Sequence, residues 1–356
     1  MKMINKILLI VLIVLPTLTW AGNPDRQGEA GAYELLLSPW ARTAGWNLMN
    51  TANVSGIEAM RVNPAGLHFE GKTQFAVGHM RLFEGAGISM NAAGLGFKVG
   101  KNGTVGVNIA AMDFGDIAIR TENQPEGTGG TFSPSFVQTG VGYSHSYEDK
   151  IFVGVLIRGV SETVIDVSAF GLALDAGVQY VGGQDDRVRL GISVRNVGPA
   201  LTYRGEGLSQ ELELNIPQTN EVFLTGFVRA AKFELPTLLN LGVSYDFLFA
   251  GGRDYLRTVA NFTSNAFSRD NLGIAAEYSF KDILQFRAGY RIAVGAVELG
   301  QDDIYTGLSA GFSASFKTNK KGNNRIAIDY AYRSTQFFQG THNVGVRYDI
   351  RAKTPS

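Results

Sequence analysis

From about residue 70 onward, apolar positions recur every second residue. Ile326, Ile328, Tyr330 and Tyr332 alternate with Arg325, Ala327, Asp329, Ala331 and Arg333. Leu284, Phe286, Ala288, Tyr290 and Ile292 alternate with Gln285, Arg287, Gly289 and Arg291. Leu272, Ile274, Ala276, Tyr278 and Phe280 do so with Gly273, Ala275, Glu277 and Ser279, and Val188–Val194 repeats the pattern against Arg187–Arg195. Successive strand residues point to opposite faces, so each segment has one apolar face and one polar or small face. The pattern predicts fourteen strands: 72–83, 86–99, 103–114, 134–147, 150–162, 167–181, 187–198, 236–249, 255–265, 269–280, 283–293, 304–317, 324–335 and 341–350. Soluble strands average about 5–6 residues, whereas crossing a bilayer takes about 9–11, which suits these segments.

The links carry a second signal. Those after even-numbered segments are short and turn-like, such as Lys101-Asn102-Gly103, Glu148-Asp149 and Lys281-Asp282. The other set holds the three longest, about 115–133, 199–235 and 294–303. Short periplasmic turns, long extracellular loops and an even strand count are the pattern of a bacterial outer-membrane barrel. Phe97, Tyr143, Tyr147, Phe247, Phe249, Tyr278, Phe280, Tyr330, Tyr332 and Tyr348 near strand ends suit an interfacial girdle. A soluble antiparallel sandwich also alternates, but it accounts less well for segment length and rim asymmetry. The expected fold is an all-β transmembrane antiparallel barrel of about fourteen strands over 71–351, with a short tail at 352–356. In lipid every backbone polar group needs an internal partner, so the sheet must close. Arg189, Arg195, Asp246, Glu277, Arg287, Arg291, Asp329 and Arg333 then turn inward. Both signs occur, which favours ion-paired filling of the lumen over a charge-selective pore.

Met1 to Ala21 reads as a secretory signal peptide. Lys2 and Lys6 precede the apolar run Ile7–Leu15, Pro16 breaks it, and Thr17–Ala21 closes with a Thr-x-Ala cleavage site. The run is too short for a membrane helix, which needs about 20 apolar residues. Composition narrows the rest. Lys+Arg and Asp+Glu are both 32, so no basic footprint for nucleic acid exists. Cys is absent, which removes disulfides, thiolate metal sites, Cys nucleophiles and a lipoprotein anchor. Gly, counted 44 times, and 11% aromatics point to strands.

Residues 22–70 break the alternation and are too few for a second domain with its own core. They would fit inside a fourteen-strand lumen as a hatch. The run Ser38-Pro39-Trp40-Ala41-Arg42-Thr43-Ala44-Gly45, then Ala52, Ser55-Gly56 and Asn63-Pro64-Ala65-Gly66-Leu67, resembles the amino-terminal signature of the PorV/PorQ group within the FadL-like barrels of Bacteroidetes. Val62 stands where that pattern has Trp, Trp46 replaces a usual Met or Leu, and the Gly-Gly run after Ala-Arg is missing. The resemblance implies a FadL-like barrel with its hatch in the lumen, in the outer membrane of a Gram-negative bacterium. It also implies a role in type IX secretion for some relatives, which bind cargo or the large translocon barrel. The FadL branch passes hydrophobic molecules through a lateral opening. The motif also has a plain structural reading. Pro64 biases Asn63 to extended geometry and Gly66 permits a tight turn before the first strand.

Enzyme signals are thin, and no cofactor or metal site is expected. His68, His79, His145 and His342 show no metal spacing. Gly307-Leu308-Ser309-Ala310-Gly311 matches a nucleophile-elbow pattern but sits in a predicted strand. Three functions compete: a partner-binding barrel of type IX secretion, a hydrophobic-solute channel, and a purely structural outer-membrane protein. The first would work through 115–133 and 199–235. The latter holds Leu201, Tyr203, Leu208, Leu212, Leu214, Ile216 and Phe223, too apolar for an idle solvated loop. The second needs a gap or kink in a strand, for which Gly87, Gly94 and Gly96 in segment 2 or Gly171 and Gly177 in segment 6 are candidates.

Overall fold

A computed structural model describes residues 24–68, 71–214, 222–249, 254–295, 304–318 and 324–350. The expected signal peptide therefore lies outside the described residues. Fourteen antiparallel strands close into one barrel. They are β1 (Thr73–Leu82), β2 (Ile88–Val99), β3 (Gly103–Asp113), β4 (Ser135–Tyr147), β5 (Ile151–Val164), β6 (Val167–Gly182) and β7 (Val188–Val197). The second half is β8 (Leu238–Phe249), β9 (Asp254–Asn265), β10 (Asn271–Phe280), β11 (Leu284–Ala293), β12 (Tyr305–Lys317), β13 (Arg325–Thr335) and β14 (Thr341–Ile350). Each strand pairs with its neighbours in sequence, and β14 closes on β1 from Thr73↔Ile350 to Arg81↔His342. No edge is left, which is the condition for crossing lipid. Among the described residues no helix is long and apolar enough to span a membrane, so any crossing is by strands.

The alternation sets the two faces as expected. Ile328 is 46% exposed on the outside, while its neighbours Ala327 and Asp329 are buried inside. Ile274, Val141, Ile157 and Ile192 are likewise outward and exposed. Outward apolar side chains with no protein cover need a lipid belt.

Residues 24–68 run inside the barrel. They form short 3₁₀ turns at Pro24–Arg26, Tyr33–Leu36, Ile57–Arg61 and Pro64–Leu67, and one helical turn, α1 (Ala41–Gly45). Leu35, Trp40, Ile57, Met60 and Leu67 pack on inward residues of β1–β6, including Met80, Met90, Phe136 and Leu156. The opposite wall is ionic. Arg257 pairs with Asp246 at 2.6 Å, Arg287 with Glu277, and Arg347 with Asp329 at 2.8 Å. The lumen thus has an apolar sector on β1–β6 and a salt-bridged sector on β8–β14, and the hatch touches both.

Inward glycines let the hatch approach the wall. A Cβ at Gly154 would lie 2.2 Å from the Pro64 carbonyl carbon, and one at Gly191 2.4 Å from the Thr51 oxygen. Gly177 faces the Asn63 side chain and Gly94 faces Ile57 in the same manner. The expected kink does not lie where segment 2 suggested, because β2 pairs β1 and β3 in unbroken register. Its Gly94 and Gly96 are inward or in register, and only Gly87, before the strand, takes a positive φ. The register does shift in the other candidate, segment 6, at β6/β7 near Asp175, and also at β12/β13, where four steps from Tyr305 to Ser309 oppose two from Thr335 to Arg333. Gly307, at φ +89 and against the Arg291 carbonyl, occupies that second bulge.

The long connections carry more structure than loops. A two-residue ribbon, Ile117–Ala118 with Thr131–Phe132, stands in the first. The second holds the pair Leu201–Thr202 with Lys232–Phe233 and a hairpin, Ser209–Leu214 with Val222–Phe227.

Candidate functional site

The hatch motif is docked throughout. Ser38 gives its carbonyl to Asn343 Nδ2 at 2.9 Å, and the Pro39 carbonyl lies against Gly78. Ala41 begins α1 and Gly45 ends it, the Gly45 carbonyl accepting from Ser309 Oγ at 3.1 Å. Ser309, the centre of the elbow-like pattern, is therefore a buried lumen residue on a strand, without the exposed strand-to-helix turn a nucleophile elbow needs. Arg42 Nε and Arg347 Nε both reach Glu58 Oε1, at 3.4 and 3.5 Å, and Glu58 accepts from Thr43 N and Oγ1 at 3.2 and 3.0 Å.

Asn63 is extended (φ −151) and its Oδ1 accepts from Ala65 N at 3.1 Å, capping the Pro64–Leu67 turn. Its Nδ2 donates to Thr51 and Val178 carbonyls at 3.0 and 3.1 Å. Ala65 accepts from Ser144 Oγ at 2.8 Å, and Leu67 is buried. Gly66 is required for a different reason than a tight turn. Its φ is ordinary, but a Cβ there would sit 2.1 Å from the Val54 oxygen. The motif's role here is to seat the hatch on the wall.

Arg61, Gln138, Arg158 and Asp175 join in that seating and belong to no motif. Buried Arg61 donates to the Glu34 carbonyl at 2.6 Å and to Leu37 O, and its Nη1 to Gln138 Oε1 at 2.5 Å. Arg158 donates to the Met60 carbonyl at 3.1 Å while paired with Asp175 at 2.5 Å. Charged residues at inward positions of otherwise apolar strands are the sequence signal that would have marked Arg158 and Asp175.

Two cavities flank the hatch. The lower, about 750 Å³, is polar and opens toward the short-turn rim, with Arg42, Ser55, Lys98, Asp149, Arg189 and Asp349 among its walls. The upper, about 530 Å³, faces the long-loop rim. Hatch residues Asn47–Met49 wall the upper cavity and Val54–Ser55 the lower, so the hatch stands between them. Leu36, Leu37, Met49, Phe83 and Leu238 give the upper cavity apolar walls. Arg195, Arg291 and Arg333 reach it as well, and among the described residues no carboxylate lines it. Arg195 donates to the Leu35 carbonyl at 3.2 Å, and Arg333 lies 3.7 Å over the Tyr305 ring. Both are buried, and the Nε of each has no hydrogen-bond partner. The expected ion-paired filling thus holds for Asp246, Glu277, Arg287, Asp329 and, at 3.7 Å from Asp246, Arg189. Arg195 and Arg333 depart from it. Burial also pushes the nearby hatch carboxyl of Glu34 above its ordinary range.

The apolar residues of 199–235 are divided. Leu201 packs into the barrel end over Gly171, and Tyr203 stacks near Phe233 and donates to Glu162. Burial first, then that hydrogen bond, raises the Tyr203 hydroxyl pKa. Leu208 lines a surface crevice beside Phe227 and Arg229. Leu212 and Leu214 lie in the hairpin, in register with Leu224 and Val222, and Phe223 opposite Glu213; Ile216 lies outside the described residues. The expected single apolar surface is therefore split, with Leu201 and Tyr203 committed to the barrel's own packing. Among the described residues no three His, Asp or Glu side chains converge as a metal site.

No protein-family model and no curated protein sequence matches the chain. Solved outer-membrane channels share its fold. CymD, a monoaromatic hydrocarbon channel, aligns at TM-score 0.58 and 14% identity, over 90% of this chain and 99% of its own. The Pseudomonas putida toluene transporter TodX aligns at 0.54 and 14%, over 89% and 99%. A Pseudomonas aeruginosa FadL homologue gives 0.52 and 12%, over 88% and 98%. The chain has the fold of FadL-like outer-membrane barrels. At these identities the likeness is one of fold, and nothing in it points to type IX secretion.

Proposed function

We propose that the protein is an outer-membrane channel of a Gram-negative bacterium for hydrophobic small molecules, and that the upper cavity is where a solute first binds. The observation that supports this reading most is the cavity itself. It joins apolar walls to two buried arginines whose Nε groups lack partners, above a hatch that blocks the direct route. A guanidinium bordering an apolar cavity offers donors to an acceptor on a ligand, and a hydrogen bond to a charged group is among the stronger ones. The solute this suits has an apolar body and an anionic or strongly accepting end. Fold likeness to hydrocarbon channels agrees with the apolar part.

The test is equilibrium binding of 2-naphthoate to the detergent-purified barrel. Arg333→Gln should weaken binding about tenfold, the scale of a hydrogen bond to a charged group. An absence of binding to the unaltered barrel overturns the reading. A second reading, a type IX partner-binding barrel, rests on the residue 38–67 resemblance and on the exposed Leu224 and Phe227 of the loop hairpin. Co-purification of a large translocon barrel or a secreted cargo, lost in a Leu224→Ser/Phe227→Ser variant, would favour it.

A further inference from the structure

Three aromatic rings form a file from the outside of the rim into the upper cavity. Phe338 lies in the β13–β14 turn and is 57% exposed. Its ring stacks on Phe83 with centroids 5.6 Å apart and planes 19° from parallel. Phe83 lies in turn 5.9 Å from Tyr305. Tyr305 carries the Arg333 guanidinium over its face at 3.7 Å. Phe83 and Tyr305 border the cavity, and Phe338 stands outside it. The file therefore runs from an exposed ring, through two cavity-wall rings, to a buried cation with an unpartnered Nε.

The three rings come from separate elements, and local hydrogen bonds fix each. Phe83 follows β1 with φ +48, a conformation rare for a bulky residue. Its backbone N–H points to Thr341 Oγ1 at 3.4 Å, and the next residue, Glu84, donates to the Gly340 carbonyl at 2.8 Å. Tyr305 Oη shares a 3.2 Å hydrogen bond with Thr341 Oγ1. Tyr305 also begins β12 on the far side of the Gly307 bulge, which sets the strand start apart from regular pairing. The β13–β14 turn is tied by Gly340 N donating to Thr335 Oγ1 at 3.0 Å. One hydroxyl, Thr341, thus joins the two inner rings, and the same turn presents the outer one.

We infer that Phe338, Phe83 and Tyr305 are an entrance that admits flat aromatic solutes to the upper cavity by successive ring stacking. The inference rests on the proposed solute site and adds a substrate class to it. An offset ring–ring contact is favourable beyond the area it buries, and a saturated ring of the same size lacks that part. A solute replacing one ring contact at each step meets a smaller barrier than one that must part the stack without return. The cation at the inner end attracts an aromatic face and, more strongly, an anionic end.

The experiment compares 2-naphthoate with decahydronaphthalene-2-carboxylate, the same skeleton and charge without aromaticity. Association rates with the full barrel in detergent are read by stopped-flow naphthoate fluorescence, the saturated acid by competition. Phe338→Leu should slow naphthoate association about fivefold, the order of one ring–ring contact, and leave the saturated acid unchanged. Phe83→Leu should act in the same direction. Phe337→Leu, at an exposed neighbour outside the stack, should change neither. If the Phe338 and Phe83 variants leave both rates unchanged, or slow both acids alike, the entrance is overturned and these rings only anchor the rim. Failure of the unaltered barrel to bind either acid overturns the site itself, a result distinct from binding without ring selectivity. Heat-dependent gel migration of each variant confirms that the barrel is folded.

Discussion

At the residue scale the environment of one side chain depends on whether its number is odd or even. Ile328 faces outward and Ala327 inward, one residue apart. Placing Arg at 328 puts a charge against hydrocarbon, at a cost of about 2–4 kcal/mol near the midplane. Ala327 is a poor inward control, because it is buried at 2% exposure with no room for a long side chain. Ser315 is inward and borders the open lower cavity beside Asp282 and Asp349, so it is the right one. Urea titration in detergent or vesicles should show Ile328→Arg strongly destabilised and Ser315→Arg nearly unchanged. Equal losses would mean the register is wrong. The glycines teach a related lesson. Gly154, Gly177 and Gly191 were legible as strand residues, but their reason is the hatch, whose backbone (at Gly154 and Gly191) or Asn63 side chain (at Gly177) lies 2–3 Å from where a Cβ would stand. That neighbour is far away in sequence, so no local pattern announces it.

At the element scale the hatch is held by polar contacts that converge on Glu58. It accepts from Thr43 and pairs with Arg42 of the hatch and Arg347 of β14. Removing one partner of a buried ionic group leaves uncompensated charge, which costs about 3–5 kcal/mol. Glu58→Gln should therefore loosen the hatch while sparing the wall, whose pairs Arg257–Asp246 and Arg287–Glu277 do not involve it. Single-channel recordings in planar bilayers should show higher or flickering conductance for this variant. A silent, fully closed variant would mean that the β1–β6 apolar packing alone seals the lumen. The Ser38–Gly45 and Asn63–Leu67 blocks stood out in the sequence, whereas Glu58 and Arg61 did not. Their pairing is set by where the chain returns after α1, which composition does not encode.

At the scale of the whole molecule, closure of β14 on β1 makes the barrel one cooperative sheet with every strand paired on both sides. Such a sheet resists detergent until heated. Unboiled protein should migrate differently from boiled protein in a denaturing gel, and the purified chain should need detergent to stay in solution. Identical migration with free solubility would refute a lipid-facing barrel. The uneven lumen follows from the same closure. The hatch fills the β1–β6 side with Leu35, Ile57, Met60 and Leu67, and on the opposite side Asp246, Glu277 and Asp329 are each paired with an arginine. What remains are the two cavities above and below.

The two-residue period by itself determined strand number, faces and approximate limits, because alternation is a local consequence of pleated geometry. It also determined that the inward set mixes both charges. Tertiary structure decided which inward charges are neutralised. Asp246, Glu277 and Asp329 find cations on adjacent strands, while Arg195 and Arg333 end at a cavity with no carboxylate among its described lining residues. It likewise decided that the register breaks at Gly307 and near Asp175, not in β2, since a bulge depends on what the partner strand offers. The ring file of Phe338, Phe83 and Tyr305 joins residues more than 200 positions apart. Only closing the barrel, with the first strand beside the last, brings them to one rim.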